Sequence, residues 1–228
     1  MKKILTLLAL TIGFSMNSQV STNSTSPTGT NASAIGNSTT ASGNNSTAMG
    51  YFTTASGRKA TSMGANTIAS DYASLVIGQF NSSGSSATQL SATLFSTSNT
   101  AFVIGNGTDS SNKSDAFKVM FNGDTTVGGD MTISSDARLK SNIVSLGSTL
   151  SKLLLIDGKS YEKDGKQRIG VLAQEIQEVF PELVTEDDNE MLAVNYQGLV
   201  PVLINALKEQ DEKINRLEKL VEKLIDNQ

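Results

Sequence analysis

The chain has 228 residues and contains no histidine, no cysteine and no tryptophan. Without histidine or cysteine there can be no Ser-His-Asp triad, no thiol nucleophile and no zinc site built from those ligands. Disulfides are excluded as well, so outside a reducing compartment the fold must rest on packing or on association of chains. Aromatic residues make up 5% of the chain, which is thin for a compact core. A net charge of −4 supplies no broad basic face, so nucleic acid is not an expected partner. No cofactor or metal is expected. Of the remaining nucleophile–base pairs, a serine or threonine activated by lysine is the most accessible.

Charge is scarce in one half only. Between Val20 and Ser110 the formal charges are Arg58, Lys59, Asp71 and Asp109, set in Ser, Thr, Ala, Gly and Asn. After Asp136 the chain turns rich in Lys, Glu, Leu, Ile and Val. Two physically different objects are joined. Ahead of both, Met1-Lys2-Lys3, the apolar run Ile4 to Phe14 and the small or polar residues after it form the pattern of a secretory signal peptide. The run is too short for a membrane helix. The expectation is export to the cell surface or beyond, with a signal over 1–18 and a linker over 19–31.

Gly36, Gly50, Gly64 and Gly78 then recur every 14 residues, and Gly43, Gly57 and Asp71 form a second series at the same spacing. The units read Ser33-Ala34-Ile35-Gly36, Thr47-Ala48-Met49-Gly50, Thr61-Ser62-Met63-Gly64 and Leu75-Val76-Ile77-Gly78. A fixed period with two punctuation points per unit predicts a solenoid turn of two short strands and two tight corners, glycine supplying the corners. Each turn offers one larger apolar residue (Ile35, Met49, Met63, Ile77), whose burial yields about 1.5–3 kcal/mol. Ordering the backbone costs roughly 1–2 kcal/mol per residue. A single roll is therefore short of core, and sharing the apolar stripe among chains would relieve it. Residues 32–80 resemble the head repeats of trimeric autotransporter adhesins, which implies a left-handed parallel β-roll packed as a homotrimer. An ice- or glycan-binding solenoid is the rival, with Thr39, Thr40, Thr53 and Thr54 as a regular hydroxyl array.

Residues 81–134 read as a β-rich neck. Val103-Ile104-Gly105 echoes Val76-Ile77-Gly78, Phe117–Phe121 alternates as a strand, Asn122-Gly123-Asp124 signals a turn, and Thr125–Val127 and Met131–Ile133 are further expected strands.

At the change of composition, Ser135-Asp136-Ala137-Arg138-Leu139-Lys140 places a hydroxyl five residues before an amine. On spacing alone this could equally be a helix cap with a solvated basic face. Together with Gly170-Val171-Leu172-Ala173-Gln174-Glu175, Phe180-Pro181-Glu182-Leu183-Val184 and Tyr196-Gln197-Gly198-Leu199-Val200-Pro201, it resembles the peptidase S74 family, intramolecular chaperones of phage tail spikes and related fibres, over about 134–228. The resemblance implies a Ser–Lys dyad that cuts its own chain once after assembly, with Ser135 as nucleophile, Lys140 as general base and Ser134–Ser135 as the bond. Lysine can serve only if burial or a nearby cation lowers its pKa from about 10.4. Arg138 is either that cation or a partner of Asp136.

The remainder of 135–228 is expected to be a small α+β domain: a strand into a helix across Gly170–Phe180, stopped by Pro181, and a strand at Met191–Val194. From Tyr196 a heptad runs to the end, with Val200, Leu207, Ile214 and Val221 at a and Leu203, Gln210, Leu217 and Leu224 at d. This reads as a coiled coil over 199–228, packing onto its own domain being the alternative. Val/Ile at a with Leu at d is a dimer pattern; the family resemblance and the starved solenoid favour three chains.

Overall fold

The structure is a computed structural model that describes residues 22–82 and 91–227; the expected signal peptide lies outside the described residues. Two compact units divide at Ser134 and Ser135.

The N-terminal unit is a β-solenoid. Long strands Ser33–Asn37, Thr47–Tyr51, Thr61–Ala65 and Leu75–Gln79 stack in parallel, each residue above its counterpart 14 positions earlier, as in Ala34↔Ala48 and Met49↔Met63. The short strands Thr40–Ala41, Thr54–Ala55 and Ile68–Ala69 make a second parallel sheet behind them. Strand alternation decides what fills the space between the sheets. Ala34, Ala48, Ser62 and Val76 point inward and meet Ala41, Ala55 and Ala69, all buried. The larger Ile35, Met49, Met63 and Ile77 fall on the other face of the long strands, partly or wholly exposed. The lumen of a two-strand turn takes only small side chains, so the apolar stripe is left facing out.

Two expectations change here. Thr39 and Thr53 are fully buried in the lumen and Thr40 and Thr54 only half-buried, so the proposed hydroxyl array does not exist as a surface. The left-handed corner positions are occupied not by glycine but by Ser38, Phe52, Asn66 and Phe80 on one side and Asn31, Asn45, Lys59 and Ala73 on the other. Glycine in the second series answers a different need, close approach between turns. A Cβ on Gly43 would stand 2.0 Å from the Gly57 carbonyl oxygen. Asp71 interrupts that series where the chain leaves the stack. Its carboxylate accepts a hydrogen bond from the Thr100 amide at 2.8 Å, holding the point where the chain returns.

From there Thr100–Asn106 resumes the parallel sheet against Leu75–Gln79, with Val103 opposite Val76. Asp115–Met120 and Thr125–Val127 extend it antiparallel, closing the neck. Met131–Ile133 forms no strand, and its residues are exposed.

Among the described residues the C-terminal unit holds three α-helices, α1 (Leu150–Leu153), α2 (Ala173–Val179) and α3 (Leu199–Asp226), with antiparallel hairpins Lys159–Lys163/Lys166–Gly170 and Val184–Glu186/Leu192–Val194. Pro181 opens a 3₁₀ turn, Pro181–Leu183, directly after α2. The core is Ile176, Phe180 and Leu183 against Val202, with Leu153, Val171 and Val194 around them. In α3 only Val202 and Ala206 are buried. Its a and d residues, including Ile214, Leu217, Val221 and Leu224, are exposed, and the first three line a shallow open groove with Glu218 and Glu222. Among the described residues no helix is long and apolar enough to cross a membrane.

Candidate functional site

Ser135 is the first residue of the C-terminal unit. Beyond it, the Asp136 carboxylate accepts from the Arg138 amide at 2.8 Å and so caps the 3₁₀ turn Ala137–Leu139. That single turn reverses the chain. Lys140 returns on the side from which Ser135 departs, and its Nζ donates to Ser135 Oγ at 2.7 Å. Five residues without such a turn would carry the two apart by well over 10 Å.

Arg138 is committed elsewhere. Its Nε and Nη2 donate to the two oxygens of Asp136 at 3.0 and 2.7 Å, a two-point ion pair. The guanidinium holds the Asp136 carboxyl below its ordinary range, the backbone amide of Arg138 adding to this. Arg138 is therefore a partner of Asp136. Ser135 and Lys140 are exposed in the single chain. The arrangement provides a hydroxyl in contact with an amine and a carbonyl, that of Ser134, next in the chain.

Sequence reasoning missed a residue that ties the start of α1 to α3. Glu209, on α3, accepts from Ser148 Oγ at 2.6 Å, from the Thr149 amide and from the Leu150 amide at 3.0 Å. It thereby satisfies the first free amides of α1 from 60 residues away. Thr149 Oγ1 donates to the Val202 carbonyl at 3.0 Å, joining the same helices. Nothing near Glu209 in the sequence signals this, because on α3 it reads as one more solvated acid. The Ser148 hydroxyl and then the two amides pull its carboxyl from 4.5 to about 2. A carboxyl so depressed lends stability that is complete above its ordinary pKa of 4.5 and disappears as pH falls towards 2. The helical circular-dichroism signal of α3 should therefore melt at progressively lower temperature between those pH values. Glu209→Gln should lower the melt at neutral pH and flatten that acid limb; an unchanged limb would contradict the assignment.

Comparison with known proteins fits both units. The peptidase S74 family model, described as the chaperone of endosialidase, matches residues 135–185, and the YadA head domain repeat matches twice, over 28–53 and 55–81. The chain is also similar to the long tail fiber protein Gp37 of Enterobacteria phage K3, 36% identical over 97 residues, which is 38% of this chain and 8% of that protein. For Gp37 of Salmonella phage S16 the figures are 29% over 110 residues, 42% of this chain and 15% of the relative. The chain thus spans a small part of the length of these relatives. Two matches to the YadA head repeat are thus followed by one to the peptidase S74 chaperone, the two resemblances read from the repeats and the junction motif.

Proposed function

We propose that this chain forms an exported, homotrimeric, fibre-like structural protein whose C-terminal unit brings three chains together and then cuts itself off at about Ser134–Ser135. The observation that carries the proposal is the 2.7 Å contact between Lys140 Nζ and Ser135 Oγ at the first residue of the chaperone segment. Two apolar surfaces support three-chain assembly. Ile35, Met49, Met63 and Ile77 line the outer face of the roll, and the a and d residues of α3 are free of their own unit. Both are surfaces that a fibre would bury and a monomer would leave wet.

The chemistry balances within the chain. Neutral Lys140 takes the proton of Ser135 Oγ, which attacks the Ser134 carbonyl carbon. As the Ser134–Ser135 peptide bond breaks, Lys140 returns the proton to the departing nitrogen, which becomes the α-amine of Ser135. Ser134 is left as an ester on Oγ, and water hydrolyses it. The dyad is exposed in one chain, and removal from water by neighbouring chains is what favours the neutral form of an amine. That ties the cut to assembly, and release leaves the shared roll trapped by its own slow unfolding.

Light scattering and intact-mass analysis of the expressed chain test the reading together. A trimer in which the C-terminal fragment begins at Ser135 is the expected result. A trimer that stays whole leaves the chaperone role and removes the peptidase role; a monomer removes both.

A further inference from the structure

The roll carries a cleft apart from its apolar stripe. On one side of the stack Phe52, Asn66 and Phe80 occupy successive corners, their amides donating to the carbonyls of Asn37, Tyr51 and Ala65 at 2.9, 2.8 and 3.2 Å. The two phenylalanines therefore flank Asn66, about 9–10 Å apart at the usual spacing of stacked strands. Together with Thr54 and with Ser110 and Lys113 of the following loop they line a cleft of about 170 Å³. The backbone does not ask for phenylalanine here. At Phe52 φ is +52° and at Phe80 +41°, in the left-handed region that a bulky residue enters at a cost and asparagine tolerates. The other two corners of this series hold Ser38 and Asn66. Burial does not account for Phe52 either, which is 48% exposed and braced edge-on by Tyr51 with ring centres 4.6 Å apart. Strain kept where a better-suited residue exists points to a use.

We propose that this cleft binds an acidic sugar, one hexuronate ring of a polysaccharide, between Phe52 and Phe80. The site goes beyond the assembly and self-cutting reading and does not depend on it. The C–H faces of a pyranose are weakly positive and settle on the negative faces of aromatic rings. Carbon contacts of about 3.5–4.0 Å on each side leave room between the two phenylalanines for one such ring. Polar groups in the cleft select the rest of the ligand. Among the described residues neither the Asn66 side-chain amide nor Lys113 Nζ has a hydrogen-bond or ion-pair partner. Asp109, in the same loop, is taken up by the amides of Ser111 and Asn112 at 2.8 and 2.9 Å and by Asn112 Nδ2 at 2.8 Å. The loop itself is tied to the corner by the Ser114 amide, which donates to the Phe80 carbonyl at 3.1 Å. Sugar hydroxyls answer both the donors and the acceptor of the Asn66 amide, and a ring carboxylate answers the Lys113 amine. A flat apolar ligand, or the apolar stripe of a neighbouring chain, would leave both unanswered.

Ligand-observed saturation-transfer NMR on the expressed chain tests this, with methyl β-glucuronide and methyl β-glucoside as probes. Irradiating the aromatic signals of the protein should saturate ring protons on both faces of the glucuronide at low salt, and those of the glucoside several-fold less. Lys113→Gln should remove that preference. Phe52→Asn combined with Phe80→Asn places at both corners the residue that Asn66 already holds there. It should abolish both responses while the β signal in circular dichroism stays. No transfer to the glucuronide, an equal response to the glucoside, or transfer that survives the double variant overturns the proposal. So does a double variant whose mass by light scattering falls below that of the unaltered chain, because the cleft is then a contact between chains. If the double variant loses its β signal, Lys113→Gln decides alone, since it changes only an exposed side chain. A preference for the glucuronide that persists in it overturns the site.

Discussion

The Ser135→Ala chain is expected to run as one full-length band, and Lys140→Ala almost wholly so, where the unaltered protein gives two. The two substitutions act on different steps. Removing Oγ leaves no atom within reach of the Ser134 carbonyl to form the ester, so the route is closed. Removing Nζ leaves the hydroxyl in place with its proton, and general-base help of this kind contributes about 10²–10⁴-fold. Over hours on a denaturing gel, Lys140→Ala should therefore show a trace of product and Ser135→Ala none. Lys140→Arg sharpens the reading, because it preserves the positive charge and a donor for Ser135 while being unable to give up its proton. It should be as silent as alanine if the amine works as a base, and active if it merely orients the hydroxyl. All three variants should still form trimers, since the groove of α3 and the outer stripe of the roll are untouched. Product beginning at Ser135 from the Ser135→Ala chain would end the assignment.

The pairing of Ser135 with Lys140 was expected from the family resemblance, since spacing alone left a helix cap equally open; the contact itself is local. Asp at the cap and a three-residue turn are enough to fold Lys140 back on Ser135, and both are local. The 14-residue register was readable because stacking in a solenoid repeats the same local geometry. The narrow lumen admits alanine, serine and valine and turns Met49 and Met63 out, in keeping with an apolar stripe available for sharing. What failed depended on the third dimension. The threonine array failed because the face on which Thr39 and Thr53 lie follows from the turn and not from their polarity. Met131–Ile133 has the composition of a strand and yet forms none. Glu209 was invisible because its four hydrogen bonds span 59 to 61 residues.

Gly50→Ala should prevent the head from assembling while leaving the C-terminal unit folded. Gly50 sits inside a long strand at φ +125°, a backbone conformation that side chains rarely adopt. An added Cβ would lie 2.1 Å from the Gly64 carbonyl oxygen, a backbone atom of the next turn that cannot swing aside. Relief requires the turns to separate, and that breaks the register Met49↔Met63 on which the outer stripe depends. The strained backbone costs about 1–3 kcal/mol in each chain before the clash is counted, and three chains sharing one stripe would feel it together. Loss of the β signal and of protease resistance in the head, with the helical signal of α3 retained, is the expected outcome. Ser42→Ala, two positions after Thr40 and immediately before Gly43, adds no Cβ and serves as the control. A Gly50→Ala head as resistant as the unaltered one would mean that the turns are not stacked as closely as the register requires. In that case the starved roll would hold itself together without neighbours.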